Sequence, residues 1–344
     1  MPSEEQHLSP SLNHQHVMKG IDPKLAYSGG DCAAWRRRLR RRVRAVLGDT
    51  PAKRVPLNPR TLWKRDLPLG SVEKIIFTSE PYADVPAYFC LPNKSSGPFP
   101  VMICLQGHST GMHLSIGVDR EDETKPFPVQ GDRDFALGCM ARGFAALCIE
   151  QRSFGERREL LQERRSKDMC HEAVVQALLL GRTLVGERVY DVDRGLDYLE
   201  SRPEVDMRRV GCMGNSGGAT VTIYASALLP RICFAMPSCG FATYAGSILS
   251  VSHCADNYLP GMLKYADMGD VLGLFAPRPV VVVAGRDDDI FPLPAVREAF
   301  EQLERIYKAA GAEGHCHLVV GNGGHRFYAE DAWPVLLGEV ARLA

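Results

Sequence analysis

The chain has 344 residues, 45% of them hydrophobic and 24% charged, and its 41 basic side chains balance 41 acidic ones. That balance creates no global field for nucleic acid or an anionic membrane, and the apolar fraction excludes a globally disordered chain. No run of about 18 apolar residues occurs, so no membrane-spanning helix is expected.

Residues 1 to about 30 read as a loose arm rich in Pro, His, Ser and Gly. The arm lacks the apolar segment of a secretory signal. The 11 cysteines are scattered, and Cys90, Cys104, Cys148 and Cys212 sit in apolar runs. An odd number of buried-looking thiols without an export signal points to reduced cysteines and a cytoplasmic protein. Asp31 is placed to N-cap a helix running to about Leu47, with Gly48 beyond its end. Trp35, Leu39, Val43 and Val46 form one apolar stripe on it, and Arg36, Arg37, Arg38, Arg40, Arg41, Arg42 and Arg44 cover the rest. With a neutral chain and no interleaved aromatics, the arginines read as a solvated face, paired with acidic residues of the main domain or a second subunit. Residues 1–70 are therefore set apart as an N-terminal arm and helix, compatible with homo-oligomer contacts. Residues 71–344 form the main domain.

Val72–Thr78 and Val85–Leu91 read as a hairpin, and Pro100–Leu105 as a buried strand followed by the loop Gln106-Gly107-His108. A helix is expected over Phe135–Arg142 and a strand over Phe144–Ile149. Helices follow over about His171–Gly186 and Asp191–Ser201. Four more strands are expected, over Arg209–Met213, Ile232–Met236, Pro279–Ala284 and Cys316–Val320. Helices fall between and after them, over Ala219–Leu229, Leu293–Ala310 and Tyr328–Leu343. Apolar strands alternating with helices imply an α/β fold: a mostly parallel, eight-stranded sheet with helices on both faces. Segments of about 109–134, 156–190 and 241–275 read as insertions over the site.

Gly214-Asn215-Ser216-Gly217-Gly218 has the Gly-x-Ser-x-Gly pattern between a predicted strand and a predicted helix. Such a turn strains the serine backbone and projects its hydroxyl above a helix N-terminus. A hydroxyl nucleophile needs a base, and the base needs an orienting carboxylate. Asp287, Asp288 and Asp289 follow the strand ending at Ala284, and His325 follows the last strand on a Gly-rich loop. The order Ser, Asp, His, each straight after a strand, is the chain order of these residues in the fold that carries such an elbow. Cys170-His171-Glu172, His253-Cys254 and His315-Cys316-His317 lack the paired spacing of a zinc site, so no metal is expected.

The elbow, the Asp loop and the Gly-Gly-His ending resemble an α/β-hydrolase over roughly residues 72–344. More narrowly, Gln106-Gly-His108, Gln151-Arg-Ser-Phe-Gly-Glu156 and Ala276-Pro-Arg-Pro279 resemble bacterial acetyl xylan esterase-like and dienelactone hydrolase-like esterases. That resemblance implies an acid in the pattern Gly-x-x-Asp-x-x-x-Pro, which selects Asp288 between Gly285 and Pro292. It also implies an oxyanion hole from the backbone N–H groups of Gly217 and His108. Gln106 and His253 are expected to line the substrate pocket. The implied activity is a serine carboxylesterase on small acyl esters, acetyl groups on sugars among them, with no cofactor. The alternatives are a peptidase or amidase with the same triad, or a silent binding protein.

Overall fold

The computed structural model describes residues 8–94, 96–159 and 170–343. The first residues of the predicted arm and residues 160–169 of the 156–190 insertion lie outside these.

The N-terminal region opens with helix α1 (Pro10–Lys19), which buries none of its residues. Helix α2 (Cys32–Leu47) behaves differently. Asp31 caps it by accepting from Ala33 N and Ala34 N, and Trp35, Leu39 and Val43 are buried. Its arginines find backbone carbonyls rather than the acids expected. Arg36 binds Ala276 O, Arg40 binds Ala227 O at 3.1 Å and Leu274 O at 2.9 Å, and Arg44 binds Leu228 O at 3.3 Å. Several of these carbonyls sit at helix C-termini, where a cation offsets the partial negative charge. Arg37, Arg38, Arg41 and Arg42 remain exposed.

The sheet has nine strands among the described residues, one more than expected. They are β1 (Arg60–Leu67), β2 (Gly70–Glu80), β3 (Ala83–Pro92), β4 (Phe99–Leu105), β5 (Ala145–Ile149), β6 (Val205–Asn215), β7 (Phe234–Ser238), β8 (Val280–Gly285) and β9 (Cys316–Gly321). Their order is β1-β2-β3-β5-β4-β6-β7-β8-β9. β1, β2 and β3 pair antiparallel, and β4 through β9 run parallel. The added strand is β1, an edge strand with three consecutive charged residues, Lys64, Arg65 and Asp66, between the part-buried Trp63 and Leu67. Charges on an exposed edge discourage further pairing, and they are also what hid the strand from a search for apolar runs. β1 continues the sheet, and the buried face of α2 packs into the same core.

The sheet divides the core into two layers. Val101, Ile103 and Leu105 of β4 face one side, while Met102 and Cys104 face the other, as the two-residue period of a strand requires. α2, α5 (Leu184–Glu200), α6 (Gly217–Leu228), α7 (Met268–Gly273) and α8 (Leu293–Ala309) cover the first face. α3 (Phe135–Ala141) and α9 (Ala329–Ala341) cover the second. The expected helix over 171–186 is in fact two pieces. α4 (His171–Leu179) ends, Gly181 takes φ 74°, and α5 starts after Thr183, whose hydroxyl accepts from Gly186 N. No helix among the described residues is long and apolar enough to cross a membrane.

Candidate active site

Ser216, Asp288, His325 and the loop 106–108 all follow the C-terminal ends of parallel strands. β6 ends at Asn215, α6 begins at Gly217, and Ser216 between them holds φ 56° and ψ −122°. A non-glycine residue there is strained, and such strain persists only where the surroundings impose it. Two glycines do the imposing. A Cβ on Gly214 would lie 2.5 Å from the Gly218 carbonyl carbon, and one on Gly218 would lie 2.1 Å from Leu105 O. Ser216 N donates to Ser238 O at 2.9 Å, which ties the turn to the end of β7.

The loop after β4 crosses beside this turn, so that a Cβ on Gly107 would be 3.1 Å from Ser216 Cβ. Gln106 points elsewhere: its Nε2 donates to Ser115 Oγ at 2.8 Å and to Arg133 O at 2.7 Å. That places Gln106 as a buried anchor of the loop, with its amide nitrogen already engaged. Gly217 and His108, the expected oxyanion donors, are brought together, since the His108 ring packs on the α-carbon of Gly217.

After β8, Asp288 is buried while Asp287 and Asp289 are exposed. Asp288 Oδ2 lies 2.9 Å from His325 Nδ1. Its Oδ1 accepts from Ile290 N at 2.9 Å and Phe291 N at 3.0 Å. Burial alone would raise the Asp288 pKa, but the hydrogen bond and charge of His325 and the two N–H groups bring it below the usual value. The loop carrying His325 is pinned by Tyr328, whose hydroxyl donates to Gly324 O at 2.7 Å. Phe291 stacks on the His325 ring at 6.0 Å between centroids.

His253 is half-buried on the facing segment. Ser247 Oγ donates to Ile290 O, so it accepts from His253 Nε2 at 3.1 Å. Burial, followed by the charges of His108 and His325, pushes the His253 pKa down to about 4. Its edge meets Phe291 at 5.2 Å between centroids.

Three buried groups near the site had no sequence signal. His108 Nε2 lies 2.8 and 3.0 Å from the two oxygens of Asp256, and Asp256 is bonded in turn by Arg188. These residues come from the 241–275 insertion and the early turns of α5, and nothing local in the sequence joins them. Glu150, just past β5, accepts from Met112 N at 3.1 Å and Glu156 N at 3.2 Å, and burial pushes its pKa up to about 7. It clamps the segment Gln151–Glu156 against the loop after β4.

Two groups of metal-ligating types converge among the described residues, His108 with Cys170 and Asp256, and Cys239 with Asp288 and His325. In the first, Arg188 already serves as the cation on Asp256 and also reaches Cys170 Sγ at 3.4 Å. In the second, burial pushes the Cys239 thiol up to about 12 and its Sγ donates to Arg326 O. A protonated thiol is a poor ligand.

Comparison with known proteins adds the following. A model described as "Abhydrolase family" matches residues 2–309. The protein YtaP of Bacillus subtilis (strain 168), named as a hydrolase, is 27% identical over 289 residues, spanning 83% of this chain and 92% of that one. Among solved structures, a protein of Bacteroides fragilis NCTC 9343 described as a candidate acetyl xylan esterase superimposes with TM-score 0.74 at 15% identity. It covers 96% of this chain and 85% of its own. A glucuronoyl esterase from Solibacter usitatus gives TM-score 0.66 at 15% identity, covering 94% and 99%.

Proposed function

Since the chain belongs to the Abhydrolase family and is a hydrolase of the α/β type, we propose that it is a serine carboxylesterase on small-acyl, sugar-linked esters. The observation that carries this reading is the strained Ser216 at the strand-to-helix turn, with the hydrogen-bonded Asp288–His325 pair, its aspartate buried, supplied by later strand ends. The sugar-linked part draws on the neighbours described as acetyl xylan and glucuronoyl esterases.

In the proposed mechanism Asp288 holds His325 by Nδ1, which fixes the tautomer whose Nε2 accepts a proton. His325 takes the Ser216 proton as Ser216 Oγ attacks the ester carbonyl. The negative charge of the tetrahedral intermediate rests on the N–H groups of Gly217 and His108, donors fixed before reaction begins. The alcohol leaves with the proton from His325, and His325 then activates water to release the acid and regenerate Ser216. Side chains and backbone supply all of this chemistry.

The test is hydrolysis of p-nitrophenyl acetate and longer homologues by wild type and Ser216→Ala. Turnover by wild type and a loss of about a million-fold in kcat in the variant are expected, as for other triad serines. Equal activity of the two proteins sinks the reading. For the N-terminal arm the reading is contact with a second copy of the chain, since α1 buries nothing and leaves Leu12 and Val17 exposed. Deleting residues 1–20 and sizing the product would show an unchanged mass if that reading is wrong.

A further inference from the structure

On the reading that Ser216 is acylated, we propose that the His108 side chain is a cationic element of the oxyanion corner, a role separate from that of its backbone N–H. The arrangement spans the fold. Arg188 is 1% exposed, lies over the Phe154 ring at 4.3 Å and gives one nitrogen to Asp256. Its other nitrogens donate to Arg152 O at 3.1 and 2.8 Å. Asp256 turns both oxygens to His108 Nε2. The His108 ring meets Phe154 edge-on at 5.2 Å and lies against Gly217. A methyl group on Gly217 would sit 2.5 Å from Cε1 and 2.7 Å from Nδ1 of that ring. The ring therefore touches the very residue whose N–H is proposed to receive the oxyanion, and only glycine leaves space for it.

The charges decide what the ring contributes. Arg188 and Asp256 cancel, so a neutral His108 would leave the cluster uncharged, while a protonated one leaves a single positive charge beside Gly217. Burial pulls the His108 pKa down, but the adjacent Asp256 carboxylate outweighs burial and holds it well above the ordinary histidine value. The groups facing the ring are Asp256, with Arg188 behind it, and the thiols of Cys170 and Cys254, and His253 feels the charge of both His108 and His325. His253 is held neutral and does not compete for the charge. A fixed cation beside the oxyanion acts mainly on the intermediate, because the ester carbonyl carries only a dipole before attack. The contribution therefore falls on kcat more than on KM.

The experiment compares wild type, His108→Gln and Asp256→Asn on p-nitrophenyl acetate across pH, with a melting curve for each and fluorophosphonate labelling of Ser216 alongside. His108→Gln should lose about 100-fold in kcat with little change in KM, the size of one oxyanion-stabilising group. In wild type, kcat should fall at alkaline pH as His108 loses its proton. That limb should vanish in His108→Gln and move to lower pH in Asp256→Asn. A merely structural role would lower activity at every pH and leave the limb in place, and that result overturns the proposal. So does a His108→Gln enzyme with wild-type kcat. If Asp256→Asn unfolds because Arg188 is left unpaired, His108→Gln, which keeps the Arg188–Asp256 pair, decides alone. Wild type that neither turns over nor labels at Ser216 overturns the esterase reading and this inference together. An active wild type with indifferent variants overturns this inference only.

Discussion

Two histidine–aspartate pairs, Asp288 with His325 and Asp256 with His108, differ in what completes the carboxylate. The second oxygen of Asp288 accepts two backbone N–H groups, from Ile290 and Phe291. Asp256 is instead bonded by the buried guanidinium of Arg188. They differ also in what the ring meets on its far side. His325 is held by Nδ1, leaving Nε2 for proton transfer, whereas His108 is held by Nε2 and packs on Gly217. On the proposed reading, the same two residue types serve as a proton carrier in one place and a standing charge in the other.

The sharpest way to break this comparison is Asp288→Asn. An amide there favours the wrong tautomer of His325, and the expected loss in kcat on p-nitrophenyl acetate is about 10⁴-fold. Asp256→Asn should cost far less, since His108 transfers no proton in the proposed mechanism. If kcat survives Asp288→Asn and collapses in Asp256→Asn, the two pairs have exchanged roles.

Of these two pairs, the sequence displayed only one. Asp288 and His325 each follow an apolar strand by a few residues, and the fold demands their order, so both could be named before any coordinates. Even there, choosing Asp288 over Asp287 and Asp289 needed a family pattern, and burial now separates them. The other pair joins residues 148 apart, and its arginine stands 68 residues from its aspartate. Arg188 lies on a helix whose start was misplaced because Thr183 was not read as its cap. Asp256 lies in an irregular insertion, where no periodicity marks which side chains turn inward. β1 escaped for a related reason, since an edge strand carries the charges that apolar-run searches pass over. What chain order and period fix was legible; what packing between distant segments fixes was not.

Stability against pH separates the pairs with a smaller effect. The Asp288 pKa is lowered by folding, so its contribution is present above the unfolded value of about 3.9 and is lost as pH falls. The His108 pKa is raised, so its contribution is present below the unfolded value of about 6.5 and is lost as pH rises through the folded value. The gap in Tm between wild type and His108→Gln should therefore narrow from neutral towards alkaline pH. The gap between wild type and Asp288→Asn should narrow only towards acid pH. Melting curves from pH 3 to 10 read both. Parallel trends for the two variants would remove the electrostatic distinction between the pairs.

The smallest expected effect belongs to His253, which feels the charge of both His108 and His325. With its pKa near 4 it is neutral wherever the enzyme would work, so its loss removes no charge from the site. It is tied to Ser247 and sits 3.5 Å from the Asn257 amide, and Asn257 in turn accepts from Thr220 one turn into α6. His253→Asn should therefore alter packing and substrate contact through about one neutral hydrogen bond, worth a change of about ten-fold or less in kcat/KM. The change should appear in KM, with the pH profile of kcat left where it was. A displaced profile would mean that His253 takes up protons during turnover. The charge assigned to His108 would then have to be shared with it.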